Sequence, residues 1–589
     1  MLEQMKSIVE KYGGWSLLTI VFAGLLIGLE TVSFFVNGLS DTYGHLLLLK
    51  SLPCLCVFLI SATAYHYFHK VTERVFVLVL ASLLIYESVL GVLQLAGLKM
   101  SSHYLYSITG SFRNPGPYGG FVAVCLSVCI PAFVRYCQNV CKVDKFLGWF
   151  CALASLAGFM ALPVSQSRTA WAALLVALTF YLCGRAPVRD YARRHRWIVI
   201  AVAMVVTVCA VSAFFMKKDS ALGRLRIWKI ETRAIASAPL IGSGPGMSMG
   251  SYGAAQADYF ESGQRSESDI RAASCPEYAF NEYLKCGMEA GVAGLLAAVG
   301  VIVAAFFALQ HCGSLLCWAV LCWGVFAFGS YPSSVPQLVL ILSALVGCAS
   351  VSCVCKGIPN DCRTADCAAA LSLNEPETSK SADKLSKKGS RMRKTEKIST
   401  ATAIVVPVVT VVIGGLWIAR NKSLEAAERR WKTEMKFSDM TAPSKRAGAL
   451  LSVYECLCDN PEFLFDLGYS LFMSCEYDEA IPVLREGSRI SSDPMFVNII
   501  GRCYEGLGNY DAAESSYVKA SMMVPSRLYP SVLLMDMYES IEELKKSEAV
   551  AERVLSMPYD PENRNEIELR RRAEDTLSRR RTVTENQNL

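Results

Sequence analysis

The sequence predicts an all-α protein, a polytopic bundle of about eleven membrane-spanning helices with an outer domain of helical repeats. Three observations carry that reading. The chain has 589 residues, of which 53% are hydrophobic and 19% charged, more apolar and less charged than a soluble protein of this size. The apolar residues gather in runs of about 20, the length that crosses a bilayer as a helix. The last third loses those runs and gains a recurring pattern of small, aromatic and acidic residues.

The spans are expected, in order, at Trp15–Val36, His45–Ala64, Val75–Leu95, Gly119–Val134, Phe146–Leu162, Ala170–Cys183 and Trp197–Phe215. Three follow at Cys286–Gln310, Leu315–Phe328 and Val335–Cys355, and a last one at Ala401–Ala419. The chain thus divides into a membrane domain (1–355), a linker (356–400), the final helix (401–419) and the repeat domain (421–589). The linker is rich in Ser, Lys and Asp with few aromatics, a composition that stays solvated and unfolded.

Lys and Arg set the orientation. With the amino terminus inside, the inner loops hold Lys70 and Arg74, then Arg135, Lys142 and Lys145, then Arg185, Arg189, Arg193, Arg194 and Arg196. The basic linker also falls inside, and the turn Tyr331–Gln337, without Lys or Arg, falls outside. Seven spans then place the long segment 216–284 outside, and eleven place the repeat domain there too. In a bacterial inner membrane that side is the periplasm.

A polar loop of this length between spans is usually functional. It contains Gly223-Arg224-Leu225-Arg226-Ile227-Trp228, then Pro239-Leu240-Ile241-Gly242-Ser243-Gly244-Pro245-Gly246, and ends in Phe280-Asn281-Glu282-Tyr283-Leu284. Guanidinium forks match phosphate oxygens and keep their charge when partly desolvated. Arg224 and Arg226, with Arg168 at the outer edge of the sixth span, therefore suit a pyrophosphate at the membrane surface. Snorkelling at the lipid boundary is the plainer role for Arg168. No Gly-Lys-Ser or Gly-Lys-Thr follows the glycines, so nucleotide binding has no support there; they permit a sharp bend or a close backbone approach. Glu277 and Glu282 stand where the loop meets the bilayer and are the candidate proton acceptors. Glu30, Lys50 and Glu87 lie within spans and are expected to face the bundle interior.

Many of the 23 cysteines lie inside apolar runs, as small buried hydrophobes. Cys353, Cys355, Cys362 and Cys367 cluster loosely but fit no standard zinc spacing. Neither a metal nor another cofactor is expected, and nothing points to nucleic acid.

Two resemblances follow. In the tail, Leu467-Gly468-Tyr469 with Tyr477-Asp478-Glu479-Ala480 recurs 33 residues later as Ile500-Gly501-Arg502 with Tyr510-Asp511-Ala512-Ala513, with Pro461 and Pro494 in step and a weaker copy near Leu534–Leu555. This resembles tetratricopeptide repeats, whose helix pairs stack into a solenoid with a concave binding face. It implies docking of an acceptor or envelope protein, by a tail separable from the membrane domain after Ala419.

The order Ser165-Gln166-Ser167-Arg168, Gly223-Arg224 with Trp228, Pro239–Gly246 and Asn281-Glu282-Tyr283-Leu284, over roughly Thr72–Gly347, resembles the O-antigen ligase superfamily of ligases, polymerases and protein O-glycosyltransferases. The resemblance implies transfer of a glycan from a polyprenyl pyrophosphate carrier to a hydroxyl of a lipid or protein acceptor. Arg168 and Arg224 would grip the pyrophosphate, with Arg226 and Asn281 beside them. The ligases commonly carry His before the Asn. Here that position is Phe280, so the base is open between Glu282 and Glu277. A polymerase, or a non-catalytic scaffold with a partner-binding tail, are the other readings.

Overall fold

The computed structural model describes residues 14–103, 105–195, 197, 204, 218–263, 266–352, 412, 414–415, 417–438 and 440–587. The expected span 197–215, the linker with its cysteine cluster, and most of the expected span 401–419 lie outside the described residues. Every regular element among the described residues is helical. They form a polytopic membrane helix bundle and a set of helix pairs, grouped into two compact units. One unit comprises residues 1–25, 49–211 and 297–419; the other comprises 26–48, 212–296 and 420–589.

In the first unit, α1 (Gly14–Val36, to Leu25) and α2 (Asp41–Leu95, from Leu49) precede α3 (Pro115–Cys137), α4 (Lys142–Val164), α5 (Arg168–Cys183) and α6 (Ala186–Arg194). The second half of α10 (Glu282–His311), α11 (Cys317–Ala327) and α12 (Pro336–Val351) complete it. Helix α3 is the core: it packs against α4, α5 and α11 and is buried along most of its length. By contrast α4 turns Phe146, Trp149, Leu156 and Met160 outward, the apolar exterior that lipid covers.

Two expected spans are fused in α2, 55 residues long with one break at Phe68 (φ −135°, ψ 44°). The polar stretch that suggests a loop, His66 to Arg74, consists of residues that helices accept, so the chain bends without uncoiling. Among the described residues five helices are long and apolar enough to cross a membrane, or six if α5 and α6, bent by 88°, count as one. Helices α11 and α12 have 11 and 16 residues, shorter than the runs that mark them.

Ion pairs and hydrogen bonds join loops that the charge rule puts on one side. Arg74 meets the buried Asp144 at 2.8 Å, and Arg135 meets Glu73 at 3.1 Å and the Gly313 carbonyl at 2.7 Å. Toward the other end, Ser167 Oγ donates to the Gly116 carbonyl at 3.3 Å. Of the charges within spans, Glu87 is buried and satisfied: it accepts from Ser111 N at 2.9 Å and Ser111 Oγ at 2.6 Å, pinning the loop before α3. Lys50 is exposed instead of interior; its long stem and charged head suit an aqueous boundary.

In the second unit, the long loop folds as α7 (Lys218–Ser237), α8 (Ser248–Glu261) and α9 (Glu267–Ala272), leading into α10. The tail forms three helix pairs: α13 (Pro461–Met473) with α14 (Tyr477–Ile490), α15 (Met495–Gly506) with α16 (Tyr510–Met523), and α17 (Tyr529–Ser540) with α18 (Leu544–Ser556). A terminal helix, α19 (Arg564–Gln587), packs on the third pair. Leu467, Leu471, Leu484 and Phe496 fill the space between the first pairs, and Gly468 lets Leu484 lie against the backbone of its partner helix.

The tail is not a detached module. Gly250 on α8 lies directly against the Ser488 and Arg489 carbonyls of α14, with no room for a Cβ. Ser492 Oγ donates to the Pro276 carbonyl at 2.8 Å, and Gln256 Nε2 donates to the Met523 carbonyl. Arg489 reaches the Asn37 carbonyl at 2.9 Å. The sequence suggests a separable tail because nothing in the repeat pattern marks these side contacts.

Candidate functional site

The loop's end is built by two helices lying side by side. Along α7, positions 224, 228, 231 and 235 recur every three or four residues and share one face. That face lies along α10 in parallel register. The Arg224 guanidinium stands 5.2 Å from the centre of the Phe280 ring. Ile235 packs on Gly287, and after the end of α7 the Pro239 carbonyl accepts from Val292 N at 2.8 Å. Glu231, between these contacts, acts electrostatically on Glu282.

This register explains Phe280. Phe280 offers its ring face to the Arg224 guanidinium, which the ring quadrupole attracts. Asn281 is only 3% exposed and caps α10: its Oδ1 accepts from Tyr283 N at 3.0 Å and Leu284 N at 3.2 Å. The cap fixes where the helix begins and turns Glu282, 5% exposed, into its first residue. An early helix start, which would carry Glu277 onto the Phe280 face, does not occur. Glu277 is exposed in a bend before the cap.

The arginines have different surroundings. Arg226 pairs with Asp269 at 3.6 Å. Burial works to raise the Asp269 carboxyl, but hydrogen bonds from Tyr259 and Ser266, with Lys229 and Arg226 nearby, hold it below its ordinary value. Lys229 and Arg233 flank the Tyr259 ring, each at 4.5 Å from its centre. The cavity beside them measures about 20 Å³, room for one water and not for a sugar. Arg226 therefore braces the loop. Arg168 is the first residue of α5, half-buried, after the turn that Ser165 and Ser167 hold. It belongs to the first unit and Arg224 to the second.

The Gly-rich segment approaches protein, not open space. Helix α10 breaks at Ala290 and Gly291, which frees backbone groups on both sides. Ser243 N donates to the Met288 carbonyl at 2.8 Å and Gly244 N to the Glu289 carbonyl at 3.1 Å. From the other side, Ser33 Oγ donates to the Glu289 carbonyl at 2.7 Å, and Tyr43 donates to the Pro245 carbonyl at 3.2 Å. The segment thus satisfies a helix break that would otherwise leave polar groups buried and unpaired.

Two charged residues of this cluster escape the sequence reading. Lys285, one turn into α10, interacts with Glu282, Glu289 and Glu30. Glu231 is wholly buried, and neither of its carboxyl oxygens has a hydrogen-bond partner among the described residues. Burial first, and Glu282 second, push its carboxyl up to about 8. Its signal in the sequence is an acid placed in a row with Trp228 and Ile235, visible only once that row is known to face another helix.

Among the described residues no group of three or more His, Cys, Asp or Glu side chains is arranged to hold a metal ion. No match was found among curated proteins. Residues 153–299 match the family described as O-antigen ligase. The matched segment is narrower than the resemblance noted above, yet it contains Arg168, the entire outer loop and the cap of α10. Through this segment the chain, a multi-pass membrane protein, is similar to the O-antigen ligase family of membrane glycan transferases.

Proposed function

We propose that the protein transfers an O-antigen-like glycan from a polyprenyl pyrophosphate carrier to a hydroxyl of a lipid or protein acceptor, on the periplasmic side of a bacterial inner membrane. The observation that carries this reading is Arg224 stacked on Phe280, directly before the buried Asn281-Glu282. A fixed guanidinium meets the charge that develops on the departing pyrophosphate. A carboxylate of the adjoining cluster takes the acceptor's proton; of the two that the sequence offers, Glu282 is buried and Glu277 exposed. Arg168 and Arg226 are the supporting cations, Arg226 through its brace on Asp269. A ligase is favoured over a polymerase because the tail, read as tetratricopeptide-like, adds a docking face for an acceptor. It packs on the loop that holds the site.

Arg224→Ala should lower transfer from a purified carrier-linked donor by about 10- to 150-fold, the worth of a charge-assisted hydrogen bond of roughly 1.5–3 kcal/mol. Arg224→Lys should recover little, because an ammonium lacks the planar fork of the guanidinium. Full transfer by a protein lacking both Arg168 and Arg224 would remove the pyrophosphate role.

The packing of α8 on the tail supports one side of the membrane for both. In a cysteine-depleted protein, single cysteines at Ser251 and Asn509 should react with an impermeant thiol reagent applied from the periplasm. Labelling of a linker position such as Ser386 instead would reverse the orientation.

A further inference from the structure

We propose that Glu231 is the general base of the transfer reaction, a role that rests on the glycan-transfer reading above. The geometry singles it out. Its carboxyl sits on the same face of α7 as Arg224, two turns further on, and within electrostatic reach of Glu282, two residues past the position where the superfamily's ligases carry their imidazole. It is 0% exposed, with both oxygens unpartnered among the described residues. A buried carboxyl with neither cation nor hydrogen bond is a standing cost to the fold. Residues that break the packing rule in this way concentrate at functional sites.

Glu282 on α10 acts on it and disfavours its charge, so the ionised form binds a proton readily; Tyr252 on α8, itself held neutral in part by Glu231, also lies near. A proton affinity near 8 suits a base working close to neutrality. In the reaction, the acceptor brings its hydroxyl to Glu231. The hydroxyl proton passes to the Glu231 carboxylate as the acceptor oxygen bonds to the anomeric carbon. The bond from that carbon to the pyrophosphate oxygen breaks, and its electron pair leaves with the carrier pyrophosphate beside Arg224. Glu231 ends as the neutral acid that its surroundings prefer.

The test uses full-length protein in detergent with purified carrier-linked donor. Glu231→Gln should lower kcat by about 10²–10⁴-fold with little change in KM for the donor. The wild-type rate should rise with pH and level off above about 8, a limb absent from the residual activity of Glu231→Gln. Glu231→Met fills the same volume without the buried acid. It should be as inactive as Glu231→Gln yet more heat-stable than wild type. Its stability gain should grow as pH rises from the ordinary 4.5 towards 8, the window in which the folded state holds a proton that the unfolded chain releases. Wild-type kcat in Glu231→Gln, while Arg224→Ala remains impaired, overturns the assignment and leaves glycan transfer standing. Wild-type protein that transfers no glycan, with Arg224→Ala indistinguishable from it, removes both.

Discussion

Deleting the tail after Ala419 is expected to lower glycan transfer on the order of 10²-fold by loosening the outer loop, not merely to change the acceptor. The loop helix α8 is buried on its tail side: Ala257 shares a cluster with Val497, Ala520, Met523 and Val524, and Gln256 finds its acceptor at Met523. Arg527 ties the corner between α16 and α17 to Asp493 at 3.0 Å and to Cys275 Sγ at 3.0 Å, only six residues before the cap Asn281. Truncation uncovers this apolar face, at about 1.5–3 kcal/mol for each large side chain newly exposed, and removes one of the two acceptors of Gln256, leaving the Ser274 carbonyl. Gly250→Val is the sharper version, since its side chain would land on the Ser488 and Arg489 carbonyls, which cannot move aside as a flexible side chain can. Both changes should open the 262–276 stretch to protease. Both should lower transfer on the order of 10²-fold, the effect of displacing catalytic groups by about 1 Å. A tail-less protein with wild-type protease resistance and wild-type transfer would show that the loop folds by itself.

The membrane helices were legible because a bilayer imposes one simple rule, apolar length, on every segment that crosses it. Helix pairs at the spacing of the tail repeat were legible for a related reason: local packing repeats with the sequence. What could not be read was contact across distance. Arg224 and Phe280 each stand out in the sequence, but only the parallel register of α7 and α10 shows that they meet. The same holds for Glu231, which in a lone amphipathic helix passes for a solvent-facing acid. The glycines at 242–246 permit a sharp bend or a close backbone approach, and what they approach is a broken helix. Glu282 and Glu277 look equivalent in sequence, yet the cap at Asn281 buries one and leaves the other exposed. Local chemistry is written in the chain; which faces meet is decided by the other helices they pack against.

That broken helix is where the second large effect is expected. Gly242 has φ +73°, and a Cβ there would overlap the backbone of Glu289 and come within 2.6 Å of Ala290 N. Gly291 has φ +72° and ψ −174°, a region that side chains other than glycine's rarely enter. Its Cβ would lie 2.6 Å from the Pro239 carbonyl oxygen and 2.7 Å from the Leu240 carbonyl carbon. In both cases the obstacle is backbone. Gly242→Ala and Gly291→Ala should each cost about 1–3 kcal/mol in strain, with a further ~1–3 kcal/mol from overpacking. Gly263 provides the control: its φ is +78° with nothing within 4 Å of a Cβ, so Gly263→Ala should cost the strain alone. The double variant should cost less than the sum of its parts, because once the turn and α10 separate the second clash has already been relieved. Separation would also release the Met288 and Glu289 carbonyls from Ser243 and Gly244, letting the first turns of α10 shift relative to α7. Transfer should therefore fall along with the unfolding midpoint in detergent. If Gly242→Ala and Gly291→Ala are no worse than Gly263→Ala in both measurements, the glycines do not serve the close approach of this turn to the helix break.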